Sequence, residues 1–174
     1  IIYWELELEN SQDGTMFEIL EAQKTEANTQ FSRFIDKNYP QWFQGINAPV
    51  LSHTLFKTKI AQEVGIKQPT LLVVIDNLRF DQWKTIESTV NSHYKVKDEI
   101  LYYSILPTAT QYARNAIFSG LTPKEMETHY PKYWKNDSDE GGKNLYEDKF
   151  LEMQLKRLGL SNLNHEYIKI TNFK

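Results

Sequence analysis

The sequence contains no cysteine, which excludes disulfides and thiolate metal sites and fits a reducing, cytoplasmic location. It has no apolar run approaching the ~20 residues of a membrane-spanning helix, so no membrane insertion is expected. Charge of one sign is also lacking: 20 Lys and Arg face 23 Asp and Glu. No global field draws such a chain to nucleic acid, and a polyanionic substrate needs a local site. Repeats and low-complexity tracts are absent. The opening Ile1-Ile2-Tyr3-Trp4 has no initiator Met and too short an apolar stretch for a signal peptide. Ile2, Leu6 and Glu9 read as the middle of a helix, and Lys169 to Lys174 as a strand running into nothing. The chain is therefore expected to be a piece of a longer protein.

What is present suits one domain, or a small domain plus part of another: 174 residues, 40% of them apolar. Residues 1–66 read as a helical-bundle segment. Ile1 to Glu9 form a first helix, broken at Asn10 to Gly14, and Thr15-Met16-Phe17-Glu18 has the form of a capping box. Met16, Ile19, Leu20, Ala27, Phe31, Phe34 and Ile35 recur at helical spacing up to about Asn38, where Tyr39-Pro40 is expected to stop the helix. A further helix begins near Ser52, and Gly65 to Pro69 read as a linker.

From residue 70 to 174 the pattern changes. Leu71-Leu72-Val73-Val74-Ile75 is a continuous branched apolar run, as in a strand buried on both faces. Helices are expected over Asp81 to Tyr94, Thr110 to Phe118 (ended by Gly120), from Thr122-Pro123-Lys124-Glu125, and over Lys143 to Leu158 (ended by Gly159). Leu101 to Leu106 and Tyr167 to Ile170 read as further strands. The fold class expected is α/β, a helical-bundle segment followed by a mostly parallel sheet with helices on both faces.

Asp76 ends the first strand and Thr110 follows the second by a short loop, so a parallel sheet would bring both to its carboxyl edge, where ligands bind. Asp76 offers a hard oxygen suited to zinc, magnesium or manganese. Thr110, at a helix start, has free N–H groups to hold a phosphate, and metal coordination would make its alkoxide accessible as a nucleophile. Arg114, one turn on, is a candidate phosphate clamp, and Asn115 a weaker one. Each has a plainer reading. Asp76 is a turn residue, Thr108-x-x-Gln111 a capping box, Arg114 an ion-pair partner and Asp81 an N-cap. Asn136 to Gly142 resembles a calcium loop without the EF-hand spacing and reads better as a solvated acidic turn.

The stretches Val74-Ile75-Asp76-Asn77-Leu78-Arg79-Phe80-Asp81-Gln82-Trp83 and Leu106-Pro107-Thr108-Ala109-Thr110-Gln111-Tyr112-Ala113-Arg114-Asn115 resemble the PglZ domain of the alkaline phosphatase superfamily. With Tyr3 to Glu9 and Pro131 to Asn144, the likeness extends over the chain to PglZ-type response regulators of the type IX secretion system. The resemblance implies a receiver domain, a helical bundle and an alkaline-phosphatase-like zinc phosphodiesterase domain, of which this chain holds the end of the second and the start of the third. It implies two zinc ions, with Asp76 and Thr110 as ligands and Thr110 as nucleophile, acting on nucleotide or oligonucleotide phosphodiesters. The remaining ligands would come from later strands. His53, His93, His129 and His165 are poorly placed for them, so this chain alone is expected to bind zinc weakly and turn over nothing. Partners implied are a second copy, through the helical and receiver part, and a transcription factor or secretion-system protein. A non-catalytic signalling output module that docks such a partner is the rival reading, and a phosphomonoesterase or sulfatase a third.

Overall fold

The computed structural model describes residues 1–8, 14–65 and 69–170, and its regular elements are helices. They are α1 (Ile2–Leu8), α2 (Gly14–Trp42), α3 (Ser52–Leu55) continuing as a π-helical turn over Phe56–Ile60, α4 (Phe80–Asn91), α5 (Thr110–Ser119), α6 (Pro123–His129) and α7 (Glu147–Arg157). The chain divides into two compact units: Ile1–Ala48 with Val74–Ile100, and Pro49–Val73 with Leu101–Lys174. The expected end of the first helix at Glu9, the break after it, most of the Gly65–Pro69 linker and the final Thr171 to Lys174 lie outside the described residues.

In the first unit α1 and α2 meet over the buried Leu20, with Lys24 paired to Glu5 at 2.5 Å. Tyr3 sits edge-on to Phe80 of α4, and the Lys84 ammonium lies over both rings while bonding Glu99 at 2.8 Å. Thr15 lies inside α2, which starts at Gly14, and a helical Thr15 is not the extended N-cap that a capping box requires. Pro40 does not stop the helix, which runs on to Trp42. A proline so near the carboxyl end forfeits one backbone bond with little helix left to lose. Packing offsets that loss, since Trp42 is buried against Phe34 and Tyr39, each with ring centroids 5.9 Å away.

The second unit is built round α5. Its residues from Asn115 to Ser119 are all buried, and they pack on α3 and α7 with Leu51, Phe56, Ile105, Met126, Phe150 and Leu155 in the same core. Full burial of a side chain such as Phe150 contributes roughly 1.5–3 kcal/mol. The turn after α5 depends on Gly120, whose φ of +63° is left-handed and over which Gln154 lies directly. Gln154 Nε2 donates to the carbonyls of Ile117 (3.0 Å) and Phe118 (2.8 Å), and Arg157 donates to that of Ser119. Side chains of α7 thus satisfy the carbonyls that any helix end leaves open. The Thr122–Glu125 capping box with Pro123 behind it starts α6 as its sequence indicates.

Among the described residues the expected parallel sheet is absent, and the α/β assignment is corrected. Among the described residues the β pairing is one isolated parallel bridge, Leu51 with Tyr103. The three strand-like segments form no strand among the described residues, and much of their apolar surface faces outwards: Leu71 is 85% exposed, Leu101 84% and Ile170 81%, while Ile105 is buried. A run of branched apolar residues reports a wish for burial; a sheet also needs neighbouring strands to receive each backbone N–H and C=O. Alternation survives in the last segment, where Tyr167 and Lys169 turn inwards to Glu147 and Ile168 and Ile170 turn out.

Gly120 and Gly159 have similar left-handed φ values, but only at Gly120 would a Cβ strike another side chain. Gly120→Ala is expected to cost more than Gly159→Ala, by about 1 kcal/mol for each Gln154 hydrogen bond displaced. Denaturant unfolding of the two variants measures the gap, and equal losses would refute the role given to Gln154.

Burial pushes the imidazole of His53 below its ordinary pKa of 6.5, against the opposing pull of the Glu125 carboxylate. The unfolded chain then binds this proton more readily than the folded one, so His53 subtracts stability as pH falls below 6.5 and nothing well above it. Between about pH 7.5 and 5.5, which spans the imidazole range, wild type should lose more stability than His53→Gln. Parallel losses in the two proteins would remove His53 as the cause.

Candidate functional site

Thr110 is the first residue of α5 and is exposed. The preceding Ala109 is the N-cap, with φ −58° and ψ 142°, and no side chain caps the helix. The capping box read from Thr108 and Gln111 is therefore not formed. Gln111 is directed elsewhere: its Nε2 donates to Asp137 Oδ1, while Tyr112 Oη donates to Asp137 Oδ2 at 2.8 Å. The Asp137 carboxylate raises the pKa of the Tyr112 phenol by accepting its proton in that bond. Asp137 belongs to the acidic turn after Trp134, which is pinned by its own bonds: Trp134 Nε1 to Asn136 Oδ1 at 2.9 Å, Asn136 N to Asp139 Oδ2 at 2.7 Å. The turn is a clasp on the first turn of α5.

Arg114 and Asn115 lie on the same helix as Thr110, and both are engaged by the protein. Arg114 Nε donates to Glu147 Oε1 at 2.8 Å and its Nη2 to Glu147 Oε2 at 2.6 Å, a two-point fork on a fully buried carboxylate. The same carboxylate accepts from Tyr167 Oη at 2.7 Å and Lys169 Nζ at 3.1 Å. Burial, and then the bond to Glu147, push the Tyr167 phenol up to about 12. Asn115 is buried, its Nδ2 donating to the Lys143 carbonyl (3.1 Å) and its Oδ1 accepting from Asn144 (3.2 Å). Helix α7 begins at Glu147, four residues later than its periodicity indicates, and the carbonyls of Lys143 and Asn144 before it accept from Asn115 and Lys169.

Asp76 is exposed on the turn Asp76-Asn77, where Asn77 takes a left-handed φ of 58°. It belongs to the first unit and Thr110 to the second. Asp81 is not the N-cap of α4; that place is Arg79's, and the Arg79 guanidinium forks onto Asp81 and holds its carboxyl down at about 2. Among the described residues no three His, Asp or Glu side chains gather in a way that could hold a metal ion.

Sequence reasoning missed Glu147, Asn144, Gln154 and Tyr167. One signal was available for two of them: Glu147 and Gln154 fall in phase with Phe150 and Leu155 on the apolar face of α7, and a polar residue on that face needs a buried partner.

Comparison with known families gives two matches. Residues 1–43 match the PorX response regulator linker domain, and residues 55–173 match the BREX system PglZ alkaline phosphatase-like domain. The chain belongs to the PglZ family. No curated protein matches it. The PglZ match contains Asp76, Thr110, Arg114 and Asn115, and the PorX linker match covers α1 and α2 and ends just past Trp42. This order, a PorX-type linker before a PglZ domain, is that of a PorX-like regulator. Among the described residues no helix is long and apolar enough to cross a membrane.

Within the PglZ domain the Arg114–Glu147 pair has a measurable consequence. Removing one partner of a buried pair strands the other charge, at a cost of about 3–5 kcal/mol. Lys169 stays beside Glu147 in Arg114→Ala, which places the expected loss at the lower end, ~3 kcal/mol. Denaturant unfolding reads it directly. A loss under ~1 kcal/mol, the level of a solvent-screened surface pair, would show that the pair is open to water.

Proposed function

We propose that the parent protein is a cytoplasmic response regulator of the type IX secretion system whose PglZ domain is a zinc-dependent phosphodiesterase. Its substrates would be nucleotides or oligonucleotides. The observation that carries the reading is Thr110: an exposed hydroxyl on the first residue of a helix whose second half is buried, inside a match to an alkaline phosphatase-like family. In the proposed reaction Thr110 Oγ attacks the phosphorus and loses its proton, and one ester oxygen leaves with the bonding pair. The phosphorus, still carrying its second ester, is then bonded to Thr110, and water displaces the threonine oxygen to release a phosphomonoester and regenerate the hydroxyl. Backbone N–H groups at the start of α5 favour an anion there. Asp76 and Thr110 are the residues we assign to zinc, which would supply Lewis acidity there, with the remaining ligands expected from later strands of the domain. Arg114 and Asn115 were candidates for phosphate contact. With Arg114 forked on Glu147 and Asn115 buried, we assign them to holding α5.

The runner-up is a signalling module that works by docking a transcription factor, a secretion-system protein or a second copy. It is favoured by the PorX linker match, since a linker next to an output domain suits transmission of a conformational signal.

The deciding experiment is hydrolysis of a generic phosphodiester by the full-length protein with and without zinc, wild type against Thr110→Ala. Zinc-dependent turnover that falls at least ~10³-fold in the variant, the scale expected when a nucleophile is removed, is the expected result. A folded, zinc-loaded wild type without turnover, or a Thr110→Ala protein as active as wild type, would overturn the reading.

A further inference from the structure

We infer that Glu147 is a positioning residue for Thr110, acting through Arg114, with Asn144 as its companion on the backbone side. The inference rests on the reading of Thr110 as nucleophile. Arg114 stands one helical turn beyond Thr110, so fixing its guanidinium fixes the rotation of α5 about its axis. Glu147 fixes it at two points, 2.8 and 2.6 Å, and is itself held by Tyr167 Oη and Lys169 Nζ from the extended segment that follows α7. A fully buried carboxylate with this many donors cannot shift without losing several bonds at once.

Asn144 acts at the other end of the same turn. Its Nδ2 lies 3.2 Å from Asn115 Oδ1 and makes a longer contact of 3.4 Å with the carbonyl of Thr110 itself. Lys169 Nζ, which donates to Glu147, also donates to the Asn144 carbonyl at 2.6 Å. The two supports therefore share one ammonium group and move together. An apolar contact would hold α5 in the core equally well, whereas a forked charge pair also sets its register. In a nucleophilic displacement that register matters, because a misplacement of about 1 Å can cost about a hundredfold in rate.

The test uses the full-length protein and three variants, Glu147→Gln, Asn144→Ala and Thr110→Ala, each followed by thermal unfolding, steady-state kinetics and amide exchange of α5. Glu147→Gln keeps the side-chain volume and weakens the fork; Asn144→Ala leaves the buried charges intact and decides the matter should Glu147→Gln fail to fold. Expected is a fall in kcat of about tenfold to a hundredfold with KM changed less than about twofold, together with faster exchange in the first turn of α5. Wild-type kcat in folded Glu147→Gln and Asn144→Ala, beside an inactive Thr110→Ala, overturns the positioning role alone. An active Thr110→Ala overturns the nucleophile reading, and the positioning role with it.

Discussion

The second unit turns on one buried carboxylate. Taking Glu147 out of water costs several kcal/mol, and the cost is offset only because four donor groups from three side chains converge on its two oxygens. Arg114 brings α5, while Tyr167 and Lys169 bring the segment that follows α7, so one acid joins stretches 33 and 20 residues away in sequence. Without it the guanidinium of Arg114, at 19% exposure, would be left poorly hydrated beside Asn115. The apolar core holds these elements close; the carboxylate settles how they are rotated.

Helix α7 also holds the far end of α5. Gln154 and Arg157, two and nearly three turns on from Glu147, take the carbonyls of Ile117, Phe118 and Ser119. Gly120 is required there because Gln154 occupies the space a Cβ would need. One helix thus supplies the acid onto which Arg114 forks and the donors for the carboxyl end of α5, and donors suit the negative end of the helix dipole. Few of these bonds are visible to periodicity, which registers Phe150 and Leu155 and passes over the polar residues between them.

That contrast explains what was legible in the sequence. Helix starts and stops are local chemistry: Thr122 with Pro123 and Glu125, Ser52, and the glycines at 120 and 159 were readable because each involves residues within one turn. Pro40 misled because its cost depends on how much helix follows it and on the aromatic packing of Trp42, Phe34 and Tyr39. The sheet misled for a deeper reason. Leu71 to Ile75 carries the composition of a central strand, but pairing is a relation between segments, and the bridge at Leu51 and Tyr103 is the one such relation among the described residues. Thr110 could be read as the start of a helix; that Gln111 and Tyr112 beside it hold Asp137 could not, since that bond spans about a quarter of the second unit's chain.

The division within α5 bears on function most directly. From Asn115 onward every residue is buried, whereas Thr110 is exposed on a turn that no side chain caps. A helix retained only for packing would gain from an N-cap worth about 1 kcal/mol at Ala109, where Ser or Asp would fit the extended backbone. With alanine at that position the N-cap makes no side-chain bond to the first N–H groups, next to an exposed hydroxyl. Helix starts of this kind receive anions, and the bonds from Asp137, Asn144 and Glu147 hold the turn in place without covering Thr110. The rigid support and the open end are complementary: under the proposed reaction, a hydroxyl that meets a phosphate would gain from being fixed from behind and bare in front.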